Sequence, residues 1–478
     1  MTGSPRSCPR VLALGFGEAS WTCLRDPSFA PHLEFLSRMR CEGARATTLA
    51  PQPLETTSLW ATLLTGRSAP EHGVFGPFRR DDREMSRPVA GSDLQAPPVW
   101  RMLEEAGIPV GTFHVSLADS SQEISGFRVS WDGARREAHR NLVHPPDLYA
   151  PLIAKFGRWT TTTRAQTRRE WASLVPREIE IRADILIELL RTRPWRFALA
   201  RFIEIGRAQH RFWDDESGTL QRVYAAVDRA IARIVAAVGP ETVVFVFSEC
   251  GAGTIRHAVH LDAWLEREGF LNRRKGTVQR AGFQLARVHK RLRRVLPRTF
   301  DLSGLKMRVR SRITASNIDW SRTRAFALGD TSGIVFRVPA AEHAGLAEEL
   351  RARLLTLRDP DGRRVVEDVI YRPGGKAPAD AAPDLIVVWE NDAYMPMERF
   401  DDSGRIFDHW CPEFTDWKFT GSHRREGMLL VSGAGIGNGD VGKVRLIDLV
   451  PTWLELLGVE VPAELEGSSF AARLFDPA

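Results

Sequence analysis

Six apolar runs constrain this chain more than any other feature. They are RVLALGF (10–16), IPVGTFHV (108–115), WRFALARFIEI (195–205), TVVFVFS (242–248), DLIVVW (384–389) and GMLLVSG (427–433). Each is close to continuous in apolar residues rather than alternating, which predicts strands buried on both faces. Amphipathic helical patterns separate them, as in VWRMLEEAG (99–107) and LQRVYAAVDRAIARIVAAVG (220–239). In the second of these, Val223, Val227, Ile231 and Ile234 recur at helical spacing and Gly239 closes the helix. The alternation predicts an α/β fold with a doubly wound, mostly parallel sheet and helices on both faces. In such folds ligands collect beyond the carboxyl ends of the strands, so the residues that follow each run carry the chemistry.

Two stretches interrupt the pattern. Residues 116–175 are polar and include RWTTTTRAQTRREW, an irregular excursion. Residues 273–312 hold fourteen Lys or Arg against the single acid Asp301. This stretch alone carries +13, so with a net charge of +6 the rest of the chain carries −7. Within it Leu285, Val288, Leu292 and Val295 form a helical stripe, so a basic amphipathic helix is expected there. Such a helix suits an anionic surface; a solvated face, or a rim that draws a phosphorylated ligand, is the plainer reading. The five cysteines (Cys8, Cys23, Cys41, Cys250, Cys411) are scattered without a CxxC pair, which argues against a disulfide framework. The apolar run near the N-terminus is too short for a secretory signal, so a cytoplasmic location is expected.

Past the first strand stands Gly15-Phe16-Gly17-Glu18-Ala19-Ser20-Trp21, and then PLETTSLWATLLTGRSAPEHGV (53–74). IGRAQHRFW (205–213) follows the third run, SECG (248–251) the fourth, and GSHRREGMLLVSGAGIG (421–437) with LIDLVPTWLELLGVEVP (446–462) comes late. In this order the segments resemble the alkaline phosphatase superfamily, in particular its type I phosphodiesterase and nucleotide-pyrophosphatase-like branch. The resemblance covers about residues 10–270 and 318–470. It implies an alkaline-phosphatase-like core made of residues 1–271 and 317–478, with 272–316 as a basic inserted cap. It also implies a two-metal site, usually zinc, in which a Thr or Ser hydroxyl is the nucleophile. Paired cations deprotonate a hydroxyl and neutralise a transferring phosphoryl group.

Residue by residue, the resemblance puts Thr56 at the nucleophile position, where a helix N-terminus with free N–H groups favours an anion. Alternatively Thr56, Thr57 or Ser58 simply caps that helix. His210 and His423 match metal-ligand positions, and His72 a structural one. Acids are expected at Gly17 and Gly206, and both are glycine. Glu18 is the nearest acid to the first, but neighbouring residues of an extended chain point to opposite faces, which argues against its taking that place. An Asp-His pair is expected at Glu249-Cys250. Glu249 keeps a carboxylate on a longer stem, and Cys250 is either a thiolate ligand or a small buried thiol. One zinc or other divalent metal, held by His210, His423 and Glu249, is therefore expected rather than a full dimetal centre.

Three functions remain open at this point. The first is a pseudoenzyme that binds a phosphorylated ligand or partner over a degenerate metal site. The second is a divergent single-metal phosphoester or sulfate ester hydrolase or transferase using Thr56. The third is a membrane-surface or scaffold protein acting through the basic cap. The expected partner is a phosphorylated or sulfated small molecule or an anionic surface, without sequence-specific nucleic acid recognition. The sequence does not set the oligomeric state.

Overall fold

A computed structural model of the chain describes residues 9–80, 85–118, 124–130, 142–157, 165, 167–274, 318–329, 331–372, 382–397, 404–408, 411–412 and 418–477. The expected basic helical stripe at 285–295, and most of the proposed cap, lie outside these residues. The chain divides into two compact units. One comprises residues 1–74, 90–254 and 412–478; the other comprises 75–89 and 255–411.

The first unit is built on a nine-stranded sheet. In chain order its strands are β1 (Arg10–Phe16), β2 (Ala44–Leu49), β3 (Val110–Phe113), β4 (Phe127–Val129), β5 (Val143–His144), β6 (Phe197–Phe202) and β7 (Thr242–Phe247), followed by β8 (Glu426–Ser432) and β9 (Gly439–Arg445). Their spatial order is β9-β2-β8-β7-β1-β6-β3-β4-β5. The central strands β7, β1, β6 and β3 run parallel, and β8 is an antiparallel strand between β2 and β7. The mostly parallel sheet is therefore as expected, with GMLLVSG as its antiparallel member.

The continuous apolar runs serve two cores at once. On β1, Leu12 and Leu14 enter one cluster, while Val11 and Ala13 enter the other. This is the period-two alternation of a strand covered on both sides. The first face is covered by α2 (Arg168–Thr192) and α4 (Thr219–Val238), through residues such as Ile179, Leu186, Val227 and Ile231. The second face takes α1 (Thr56–Thr65) and α5 (Leu449–Leu456), with Trp60 and Trp453 completely buried. Each large apolar side chain so buried contributes about 1.5–3 kcal/mol. The run at 195–205 does not continue as a strand past Phe202. It breaks into α3 (Glu204–Phe212), which places Gly206 and His210 one helical turn apart.

The second unit contains its own four-stranded antiparallel sheet. Its strands Ala325–Ala327, Gly333–Phe336, Leu385–Trp389 and Val366–Tyr371 lie side by side in that order. DLIVVW thus belongs to this separate sheet and not to the parallel series. Its apolar length is explained by a core shared with the helix His343–Leu355, where Leu350 and Val387 are fully buried. Among the described residues, no helix is long and apolar enough to cross a membrane.

Candidate functional site

β1 ends at Phe16, and the next residues leave the sheet sharply. Gly17 N–H donates to the Phe202 carbonyl at 2.9 Å, and Glu18 takes a left-handed backbone conformation with φ of 63°. For a non-glycine residue that conformation is uncommon and costs on the order of 1–2 kcal/mol. It also defeats the alternation rule, because Glu18 is not extended. Its side chain turns inward and is buried. Glu18 Oε1 lies 3.1 Å from His210 Nε2 and 3.2 Å from His423 Nε2. The expectation that Glu18 would point away is therefore corrected: Glu18, His210 and His423 form one cluster of potential metal ligands.

Each histidine is oriented from behind. His210 Nδ1–H donates to the Gly421 carbonyl at 2.8 Å, and His423 Nδ1–H to the Leu54 carbonyl at 3.2 Å. Both rings consequently present Nε2 to Glu18, the arrangement by which a backbone acceptor fixes the tautomer of a ligating histidine. The loop carrying Glu18 is held as firmly. Gln209 Nε2 donates to the Glu18 carbonyl at 2.7 Å, and Tyr224 donates to Gln209 Oε1 at 2.8 Å. Burial disfavours charge on Glu18, but the two imidazoles overcome it and hold its carboxyl well below the usual range. Burial likewise opposes protonation of His423, yet the Glu18 charge prevails and raises it to about 9.

Gly206 takes on a different meaning in this setting. A Cβ on residue 206 would stand 2.7 Å from Glu18 Oε1. The Glu18 carboxylate fills the space into which an acid at 206 would project, so the missing carboxylate is supplied from the neighbouring loop. Sequence reasoning missed Glu18 because only a positive φ brings it there.

The other expected ligands do not join this cluster. Glu249 is fully buried, accepts from Trp60 Nε1 at 2.9 Å and lies 3.7 Å from the Arg201 guanidinium. Cys250 is buried in the apolar cluster of the second face, among residues such as Phe247, Trp60 and Trp453. Gly17 offers no side chain. The grouping of Glu249 with His210 and His423 is thus replaced by Glu18 with the same two histidines.

Thr56 opens α1, with its Oγ1 3.5 Å from His423 Nε2. The N–H groups behind it are not free, contrary to expectation. Glu55 is the N-cap, and its Oε2 accepts from Thr57 N–H at 2.8 Å and from Ser58 N–H at 3.3 Å. Burial pushes the Glu55 carboxyl up, against these backbone bonds. His72 is structural as expected: it is fully buried, its Nδ1 accepts from Val74 N–H, and its Nε2 is 3.0 Å from Thr62 Oγ1.

The described residues hold a second partial ligand cluster, His257, Asp359 and Asp361, in the other unit. Here Asp359 is committed to structure. It accepts from the Asp361 and Arg363 N–H groups and from the Tyr394 hydroxyl at 2.9 Å, while Asp361 is exposed and paired with Arg363. The turn sequence Asp359-Pro360-Asp361-Gly362 was the only signal available for it.

The chemistry of the first cluster suits a divalent ion. Three ligand atoms converge, and Glu18 Oε2 is buried without a hydrogen-bond partner among the described residues. A carboxylate and two imidazoles with a further position open match a catalytic zinc set. The Glu249 half does not fit a second ion, since its one carboxylate already faces a cation and no second ligand accompanies it among the described residues.

The profile of the family described as type I phosphodiesterase / nucleotide pyrophosphatase matches residues 19–422. No curated protein matches the chain in sequence. Among solved structures, an inactive variant of murine ectonucleotide pyrophosphatase / phosphodiesterase 5 in complex with AMP is 12% identical, with a TM-score of 0.57 over 98% of this chain and 99% of that one. Phosphonoacetate hydrolase from Sinorhizobium meliloti 1021, in complex with phosphonoacetate, is 14% identical, with a TM-score of 0.56 over 95% and 96%. A mutant of the alkaline phosphatase PafA is 12% identical, with a TM-score of 0.53 over 98% and 99%. At these identities the likeness is one of fold.

Proposed function

The chain belongs to the type I phosphodiesterase / nucleotide pyrophosphatase family of the alkaline phosphatase superfamily, and we propose that it binds a phosphorylated small molecule over one divalent cation without two-metal hydrolysis. The observation that carries this reading is the convergence of Glu18, His210 and His423 on a single point, while Glu249 joins no ligand cluster among the described residues. Glu18, His210 and His423 would hold the ion, zinc or another divalent metal. When bound, it would supply a Lewis acid for a phosphoryl oxygen.

The chain's own groups account for the rest. The backbone carbonyls of Leu54 and Gly421 keep the two imidazoles aimed at one place. Glu55 satisfies the Thr57 and Ser58 N–H groups internally, which denies them to a phosphoryl oxygen and weakens the anion site that activation of Thr56 would need. The AMP and phosphonoacetate complexes of proteins with this fold support a small phosphate or phosphonate ligand.

One observation favours turnover instead. Thr56 Oγ1 is 3.5 Å from His423 Nε2, so the hydroxyl stands beside the residues that would hold the ion, and a bound cation there would favour its deprotonation. The two readings separate in one experiment: metal analysis of the purified chain, with aryl phosphomonoester and phosphodiester assays on the same sample. One metal per chain, binding of AMP or phosphonoacetate and no turnover support the ligand-binding reading. Turnover abolished by Thr56→Val supports the hydrolase. Two metals per chain with robust turnover would overturn both.

A further inference from the structure

Glu249 poses a charge problem of its own. It is fully buried, and among the described residues only its Oε1 has a hydrogen-bond donor, while Oε2 has none. A carboxylate so placed is unstable unless a cation is close. The cation present is Arg201, on β6, whose guanidinium lies 3.7 Å from Glu249 Oε1 and whose side chain is 8% exposed.

Arg201 is built in rather than resting against the site. Its guanidinium stacks over the Trp60 ring at 4.5 Å, and a terminal nitrogen donates to Ser116 Oγ. The same Trp60 donates to Glu249 Oε1 through Nε1, so one indole touches both members of the pair. β1 makes room for this. Gly15 lies opposite Arg201 in register, and a Cβ there would come within 2.9 Å of the Trp60 ring.

We propose that Arg201 is the resident cation of this half of the site: its guanidinium takes the charge role of a second metal ion opposite Glu249, and Trp60 locks it in place. The count of metals that follows rests on the one-cation reading above; the role of Arg201 does not. A guanidinium keeps its proton at any accessible pH, so it cannot give way as an imidazole does. It offers fixed N–H donors and no coordination position, so it neutralises charge without activating a hydroxyl. A dication added beside it would meet direct repulsion in a buried setting where screening is weak.

The test is zinc stoichiometry after dialysis, measured by elemental analysis on the full chain and on Gly17→Asp/Arg201→Met. That variant removes the guanidinium and restores an acid beside Glu249. The expected result is one more equivalent of zinc than the unaltered chain binds. No gain in a variant that retains its circular dichroism spectrum overturns the proposal. Should the variant fail to fold, melting temperatures of Arg201→Met, Glu249→Gln and their combination decide. The combined variant is expected to lose less than the sum of the single losses, and strict additivity overturns the proposal. The two readings also separate. A gain from zero to one sinks the one-cation reading and leaves Arg201 standing, whereas one equivalent in both proteins does the reverse.

Discussion

Glu18 and Glu249 are buried carboxylates at the ends of the neighbouring strands β1 and β7, yet they are balanced by different chemistry. Glu18 faces two imidazoles; Glu249 faces a guanidinium and an indole N–H. An imidazole rid of its ring proton is a metal ligand, whereas a guanidinium never is. On the proposed reading the first half would exchange protons for a metal ion, and the second is closed by Arg201. Counting acids in the sequence misses this distinction, because what matters is the group that each acid meets.

The contrast is tested most severely by removing each acid in turn. Glu18→Gln is expected to weaken zinc binding by more than about 100-fold, beyond the 10–100-fold typical of supporting residues. Glu249→Gln should leave it within a few-fold; calorimetric titration of both variants decides, and equal losses would erase the difference between the halves. Next in size is Gly206→Asp, which drives a side chain into the Glu18 carboxylate and should cost about 1–3 kcal/mol of stability. Adding Glu18→Gly relieves both the clash and the positive φ, so thermal melts of the double variant should recover most of that loss. Trp60→Phe strips Glu249 of its one hydrogen-bond donor among the described residues, at about 1–3 kcal/mol by denaturant unfolding. Its zinc affinity should not change. The smallest effect is expected from Glu55→Ala, which loses a cap worth about 0.5–2 kcal/mol. It also frees the Thr57 and Ser58 N–H groups, so titration with inorganic phosphate should show tighter binding than in the unaltered chain.

Much of the fold was legible because burial on both faces leaves a continuous apolar record, and β1, β6 and β7 lie where their runs predict. DLIVVW shows where that record is ambiguous: a strand in a small antiparallel sheet with a good core reads the same way. His210 and His423 were legible from their motifs. Glu18 was not, since its role depends on a backbone angle that its neighbours do not encode. The partner of Glu249 was hidden for another reason. Trp60 and Arg201 are 189 and 48 positions away, joined to it only by the stacking of strands and helices. Glu55 stayed hidden behind the three hydroxyl residues that follow it, each a plausible cap in its own right.

Apart from the Glu18 carboxylate, the loop after β1 is fastened through its main chain. Gly17 N–H is tied to Phe202, the Glu18 carbonyl to Gln209, and Ser20 N–H to the Tyr224 hydroxyl. None of these ties involves the side chain at position 18. That position therefore works as a socket: its contents can be exchanged while the socket keeps its shape. A different side chain there would keep these ties and change only what His210 and His423 meet.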